Sequence, residues 1–121
     1  MSETTEISGG INIAMKVPSH LYAETVAFYR DVLKLNRVPD RSEVGFLFGP
    51  NQLWIDEAPG HSQSEVWLEL FAPELVPAAA QLSAAGITRN DAIEPLGEGF
   101  RGGWFFNPAG IVHMVREPDA W

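Results

Sequence analysis

The feature that most constrains this chain is a punctuated pair of apolar runs near its C-terminus, Trp104 to Arg116, W-F-F-N-P-A-G-I-V-H-M-V-R. Pro108 and Gly110 mark a place where the chain reverses, because proline presets one backbone angle and glycine tolerates the conformations that a turn requires. The flanking residues are aromatic and β-branched, the composition of strands. The stretch therefore reads as a hairpin. An earlier stretch, Phe46 to Asp56, repeats the pattern, with Gly49-Pro50 at the turn and a proline soon after (Pro59, against Pro118 in the later copy). A hairpin that occurs twice points to a duplicated module.

The remaining segments fit two copies. Ile11, Ile13, Met15 and Val17 alternate with Asn12, Ala14 and Lys16, the period of a half-buried strand. Pro18 ends that strand, and Ser19 is placed to cap a helix running to about Leu35. Tyr22, Thr25, Val26, Tyr29, Val32 and Leu33 form the helix's apolar stripe, widened by Phe28. Asn36 to Asp40 reads as a short strand before a turn at Arg41-Ser42. The first hairpin comes next, with strands at Val44 to Phe48 and Leu53 to Asp56, and then a polar linker, Glu57 to Ser64. Glu65 to Phe71 alternates again. Pro73-Glu74 opens a second helix, in which Pro77 is tolerated within the first turn. Leu75, Ala78, Ala79, Leu82 and Ala85 are its buried stripe, and Gly86 is its terminating residue. Ile87 to Ile93 reads as a weak strand, and a glycine-containing loop leads to the closing hairpin.

The expected fold class is thus α+β: two tandem βαβββ modules, about 10–58 and 65–117, forming an open, curved mixed β-barrel with helices outside. They make one domain, 10–118, behind an unstructured lead-in, 1–9. A ligand would sit on the concave face. Alternation brings Asn12, Lys16, Trp54, Asp56, Trp67, Glu69 and Met114 to that face, joined by Trp104 and Phe106. Stacked indoles with carboxylates suit a flat or cationic ligand. A filled core, with Lys16 paired to Glu69 or Asp56, is the competing reading.

Composition narrows the function. With 121 residues and 45% hydrophobic content, the chain can bury a real core. It has no cysteine, which removes disulfides, thiolate metal sites and thiol catalysis. Its formal net charge of −8, from 16 acidic and 8 basic residues, offers no basic patch for nucleic acid. No apolar run is long enough to span a membrane, and the N-terminus is not a signal peptide, so a cytoplasmic protein is expected. The histidines are scattered: His20 and His61 are expected to be exposed and His113 structural. Arg101 is a loop charge placed to close over an acidic ligand or to stay solvated. No phosphate loop, dinucleotide fingerprint or Ser-His-Asp arrangement is present, and no catalytic residue is singled out.

The segments F-Y-R-D-V-L-K-L at Phe28 to Leu35, A-A-A-Q-L-S-A-A-G-I at Ala78 to Ile87 and N-P-A-G-I-V-H-M-V at Asn107 to Val115 resemble the vicinal oxygen chelate superfamily, over about Gly10 to Glu117. That group includes glyoxalase I, extradiol dioxygenases, fosfomycin-resistance enzymes and bleomycin-binding proteins. The resemblance implies the fold described above and often a homodimer, to which the terminal Trp121 would contribute. It also implies a divalent metal held by His and Glu from the first, fourth, fifth and eighth strands. Those positions fall on Asn12, Asp56, Trp67 (Glu65 if the register slips) and Met114. Only Asp56 is a good ligand, with Glu65 or Glu69 as helpers, so no metal and no cofactor are expected. The leading expectation is a small-molecule-binding protein of the glyoxalase/bleomycin-resistance type that sequesters an aromatic ligand, a cationic one included, in a Trp-rich cavity. Two alternatives stay open: a metal-dependent lyase or dioxygenase-like enzyme using Asp56 with Glu65 or Glu69, and a non-catalytic dimeric protein with a vestigial cavity. Asp56 and Glu69 would serve as a general acid/base pair only if the fold brought them together.

Overall fold

The computed structural model describes residues 5–39 and 44–120. The fold is α+β. Its strands are β1 (Ser8–Gly9), β2 (Asn12–Val17), β3 (Gly45–Phe48), β4 (Asn51–Glu57), β5 (Glu65–Phe71), β6 (Thr88–Arg89), β7 (Gly102–Phe106) and β8 (Val112–Arg116), and its helices are α1 (Ser19–Ala27) and α2 (Leu75–Ala84). Among the described residues the βαβββ order is complete in the second half (β5, α2, β6, β7, β8) and lacks the strand after the helix in the first (β2, α1, β3, β4), and parallel and antiparallel pairs are mixed. Contacts divide the chain into two compact units. One is Ile11–Trp67; the other runs from Leu68 onward and takes in the strand before Gly10. The division falls inside β5, not in the linker expected at Glu57 to Ser64. That segment turns back within the first unit, where the Ala58 amide donates to the Val17 carbonyl and the His61 amide to the Ala58 carbonyl.

In the first unit β4 lies between β3, antiparallel to it, and β2, parallel to it; β2 pairs in turn with the first three residues of β5. A parallel pair needs a crossover, and α1 lies within the one that joins β2 to the hairpin. The apolar face of this sheet buries Val17, Phe46, Leu53 and Ile55 with Val26 of α1, and Ile13, Met15, Tyr22, Tyr29 and Leu35 pack around them. Ser19 does not cap α1. Pro18 occupies the cap position in an extended conformation, and no side chain bonds there. The Pro18 carbonyl already accepts from the Leu21 amide, which places Ser19 inside the first turn.

The end of this helix departs from a regular 3.6-residue period. Phe28–Val32 forms a π-helical turn, in which the Leu33 amide reaches back to the Phe28 carbonyl at 2.9 Å. The wider turn inserts extra residues per revolution and rotates the residues after it. Leu35 therefore joins the core, while Val32 is 69% exposed and Leu33 is exposed as well, the reverse of the expected stripe. Lys34 then leaves the helical region with φ 56°. The strand expected at Asn36 to Asp40 reduces to one bridge, Arg37 with Phe46. The turn expected at Arg41-Ser42 and the terminal Trp121 lie outside the described residues.

The second unit pairs β5 parallel with β8, β8 antiparallel with β7, and β7 antiparallel with β6. Its core joins Ala72, Ala78, Phe105 and Val115 to Leu75, Ala79, Leu82 and Ile87. Ala85, expected in the stripe, is exposed. The strand expected over Ile87 to Ile93 is only Thr88–Arg89, followed by a 3₁₀ turn that Asn90 caps through the Ala92 amide. The lead-in expected to be unstructured is ordered from Thr5. Ile7 packs in the core, Ser8 and Gly9 pair with Phe71 and Leu70, and the Thr5 amide donates to Gln81. Two residues of strand are too short to register as alternation. Among the described residues no helix is long and apolar enough to cross a membrane.

Both ends of α2 are closed. At its C-terminus Gly86 has φ +81°, its amide donates to the Ser83 carbonyl and the Ile87 amide donates to the Leu82 carbonyl. This is the bonding of a Schellman motif, completed by Leu82 and Ile87 sharing the core. Nothing lies within 4 Å of a Cβ added at Gly86, so Gly86→Ala meets only the backbone penalty of the left-handed region. Offset in part by the lower entropy of the unfolded chain, it should cost about 1 kcal/mol, read as a lower urea midpoint at unchanged slope.

At the N-terminus of α2, the Glu117 carboxylate accepts from the Leu75 amide at 2.9 Å and from Arg101 Nε at 2.6 Å. Arg101 is thus engaged with Glu117. The Leu75 bond, opposed by burial and assisted by Arg101, holds the Glu117 carboxyl below its ordinary value. A depressed folded value means that the carboxylate's stabilisation is complete above the unfolded value, near 4.5, and is lost as pH falls through the folded one. The stability advantage of the wild type over Glu117→Gln should therefore be flat from pH 7 to about 5 and shrink in more acid solution. Parallel stability curves down to pH 3 would show that Glu117 is not a charged cap.

Candidate functional site

Period two along β2 and β4 separates a helix-facing row from a polar and aromatic row. Parallel pairing sets Asn12, Ala14 and Lys16 beside Gln52, Trp54 and Asp56 in register. From β5, Trp67 pairs with Ala14 and Glu65 with Lys16. Asn12, Lys16, Trp54, Asp56 and Trp67 are thereby gathered on one face of the first unit.

Their contacts form a network. Lys16 is 6% exposed, yet it carries an ammonium. Burying a charge is costly unless it is paired. Compensation comes from Asp56 Oδ2 at 3.0 Å and from the Trp67 ring, whose centroid lies 4.3 Å from Nζ. The Trp67 indole N–H donates to Glu65 Oε1 at 3.3 Å, and Glu65 Oε2 lies 3.3 Å from His61 Nδ1. His61, expected to be exposed, is partly buried against this carboxylate. Trp54 is also partly buried, and its indole N–H donates to Asn12 Oδ1 at 2.7 Å. Gly45, its register partner on β3, makes room for the ring: a Cβ there would come within 2.5 Å of the indole. The Tyr22 hydroxyl is shifted upward, first by burial and then by the negative charges of Asp56 and Glu57.

Glu69, Trp104 and Met114 belong to the second unit. Glu69 and Arg116 are both buried, and their ion pair spans 2.7 Å. The Arg116 guanidinium also lies 4.5 Å from the Phe71 ring centroid and donates to the carbonyls of Glu117 and Pro118. Trp104 is 7% exposed; its indole N–H donates to the Glu94 carbonyl and its amide donates to Asp91 Oδ1. Met114 pairs with both Glu69 and Trp104 across the sheet and is buried. His113 Nδ1 lies 3.0 Å from the Ile111 carbonyl.

Of the two partners considered for Lys16, Asp56 lies at 3.0 Å. Glu69 pairs with Arg116, which sequence reasoning passed over. Its signal was present in the alternation, since Arg116 comes two residues after Met114 on the same face of β8. Each unit thus holds the same device, a buried cation stacked on an aromatic ring and paired with a carboxylate. In the first unit the cation comes from the first strand of the module; in the second it comes from the last.

No protein-family profile matches this sequence, and no curated protein matches it by sequence. Its likeness to known proteins is structural. Homoprotocatechuate 2,3-dioxygenase from Brevibacterium fuscum superposes with a TM-score of 0.61 at 18% identity, over 97% of this chain and 34% of that one. The enzyme from Arthrobacter globiformis gives 0.61 at 18%, over 97% and 38%. Methylmalonyl-CoA epimerase from Mycobacterium tuberculosis gives 0.61 at 14%, over 98% and 93%. The chain thus spans little more than a third of the dioxygenases and nearly all of the epimerase. At these identities the likeness establishes the fold, that of the vicinal oxygen chelate proteins, and leaves activity to be argued from the residues.

Proposed function

We propose that this chain, built on the vicinal oxygen chelate fold, is a metal-free small-molecule-binding protein of the glyoxalase/bleomycin-resistance type that holds a planar aromatic ligand on the face of the first unit. The observation that carries this reading is the pair of indoles on that face. Trp54 and Trp67 are each anchored by their ring N–H, to Asn12 at 2.7 Å and to Glu65 at 3.3 Å. Anchored rings lose little freedom on stacking with a ligand, which favours binding.

The chemistry of the donors argues against a metal at the positions that the resemblance would assign. Asn12 Oδ1 already accepts from Trp54, and Asp56 already holds the Lys16 ammonium. Trp67 offers no ligating lone pair. The Met114 thioether is a soft donor, suited to soft metals and not to the hard or borderline ions of such sites. Among the described residues no three His, Cys, Asp or Glu side chains are grouped around one point. This donor set does not fit the ion. The two carboxylates considered for acid/base work, Asp56 and Glu69, are each committed to a cation.

The test has two arms. Titration with planar aromatic compounds should quench Trp emission to saturation, and Trp54→Leu should weaken the tightest ligand by about tenfold, a loss of the size that one stacked ring contributes. Thermal melts with Mn²⁺, Fe²⁺, Ni²⁺ and Zn²⁺ should show no stabilisation. One ion bound per chain and lost in Asp56→Ala would overturn the reading in favour of a metal enzyme.

A further inference from the structure

We infer that the space between the Trp67 ring and the Asp56 carboxylate is a cation subsite, that the Lys16 ammonium is its resident occupant, and that an aromatic monocation binds by displacing Lys16 from it. This rests on the ligand-binding reading and deepens it by naming the charged group of the ligand. An ammonium over an indole face with a carboxylate at hydrogen-bond distance is the arrangement by which proteins recognise amine and quaternary ammonium ligands. Here the distances are 4.3 Å to the ring centroid and 3.0 Å to the carboxylate.

Three observations extend the arrangement beyond a structural ion pair. The subsite is reached from the Asp56 side, since the Asp56 side chain is 40% exposed while Lys16 and Trp67 are buried, at 6% and 7%. Two carboxylates stand beside the one ammonium: Asp56 at 3.0 Å, and Glu65, which faces Lys16 in register from β5. That balance favours a monocation over an anion. Trp54 stands beside Asp56 on β4, two residues away on the same face, where it can receive the aromatic part of a ligand whose amine lies over Trp67. Lys16 is also the occupant best able to leave. Its charge sits at the end of a flexible four-carbon stem, so the ammonium can swing toward solvent without movement of the strand.

Lys16 thus acts as a tethered competitor, and its removal should tighten binding. The experiment compares 2-phenylethylammonium with its neutral isostere 2-phenylethanol, on wild type and on Lys16→Met, by Trp fluorescence titration. The ammonium probe should bind Lys16→Met about tenfold more tightly than wild type, the neutral probe should bind both alike, and adding Asp56→Asn to Lys16→Met should abolish the gain. A second measurement needs no variant. In the wild type the Lys16 ε-methylene NMR signal should be shifted upfield by the Trp67 ring, and saturation with 2-phenylethylammonium should move it back toward its solvent position. Unchanged or weaker binding of the ammonium probe by Lys16→Met, or a Lys16 signal still shifted when that probe has saturated the wild type, overturns the subsite. The neutral probe judges the other reading separately. If 2-phenylethanol and larger planar aromatics fail to bind either protein, the aromatic platform itself falls, whatever the ammonium probe does.

Discussion

Arg116→Met should lower the stability of this protein by about 3–5 kcal/mol. The substitution keeps most of the side chain's volume, so the loss comes from electrostatics and not from a cavity. Glu69 would be left charged at 7% exposure, without the guanidinium that now lies at 2.7 Å. The carbonyls of Glu117 and Pro118 would lose their donor at the same time. Gly10 tightens the consequence. The Gly10 backbone packs so closely on the Glu69 side chain that a Cβ there would come within 2.6 Å of it, and this segment covers Glu69 from water. Pairing Arg116→Met with Glu69→Met removes both charges and should recover most of the loss, because a buried ion pair contributes far less than breaking one costs. Urea unfolding of the two single variants and the double variant measures the coupling. A single variant within about 1 kcal/mol of wild type would mean that Glu69 finds solvent or a proton easily, and that the pair is not buried in solution.

Phe46→Ala should cost about 3–5 kcal/mol through a different mechanism, a cavity in the first unit's core. Phe46 is fully buried at the centre of β3, in contact with Tyr29, whose ring centroid lies 6.0 Å away. It shares one core cluster with Leu53 and Ile55 of the sheet and Val26 of the helix. Phe46→Leu should cost markedly less, since more of the volume is retained. The readout is again the urea midpoint. The π-helical turn supplies a local check: Tyr29 belongs to it, so amide exchange at Leu33 and Leu35 should quicken in Phe46→Ala ahead of exchange in β4. Equal protection in both segments would show that Phe46 does not hold the turn.

Much of this molecule is set by local pattern. Strict alternation in Asn12–Val17 and Glu65–Phe71 placed both first strands and told which residues share a face, because side chains of a strand can only point to one side or the other. Gly86 and Pro77 marked the ends of α2 because each has few backbone options. The alternating runs, the two helical stripes and the repeated hairpin were enough for the α+β class and for the βαβββ order of the second half. The gathering of Asn12, Lys16, Trp54, Asp56 and Trp67 on one face of the first unit was legible for the same reason.

Tertiary structure decided what period alone leaves open. The π-helical turn at Phe28–Val32 exchanges Leu35 for Val32 and Leu33 in the core, and no local signal distinguishes it from a regular helix, since the choice depends on what packs beneath. The β1 strand exists because Ile7 finds the apolar face of α2 and Gly10 admits Glu69. Above all, the partners of the charged residues were not local. Lys16 is 40 residues from Asp56, and Arg116 is 47 from Glu69. Alternation assigns a charge to a face, but strand order and register determine which opposite charge it meets. A buried ion pair needs its partner at hydrogen-bond distance, which only the assembled sheet can set.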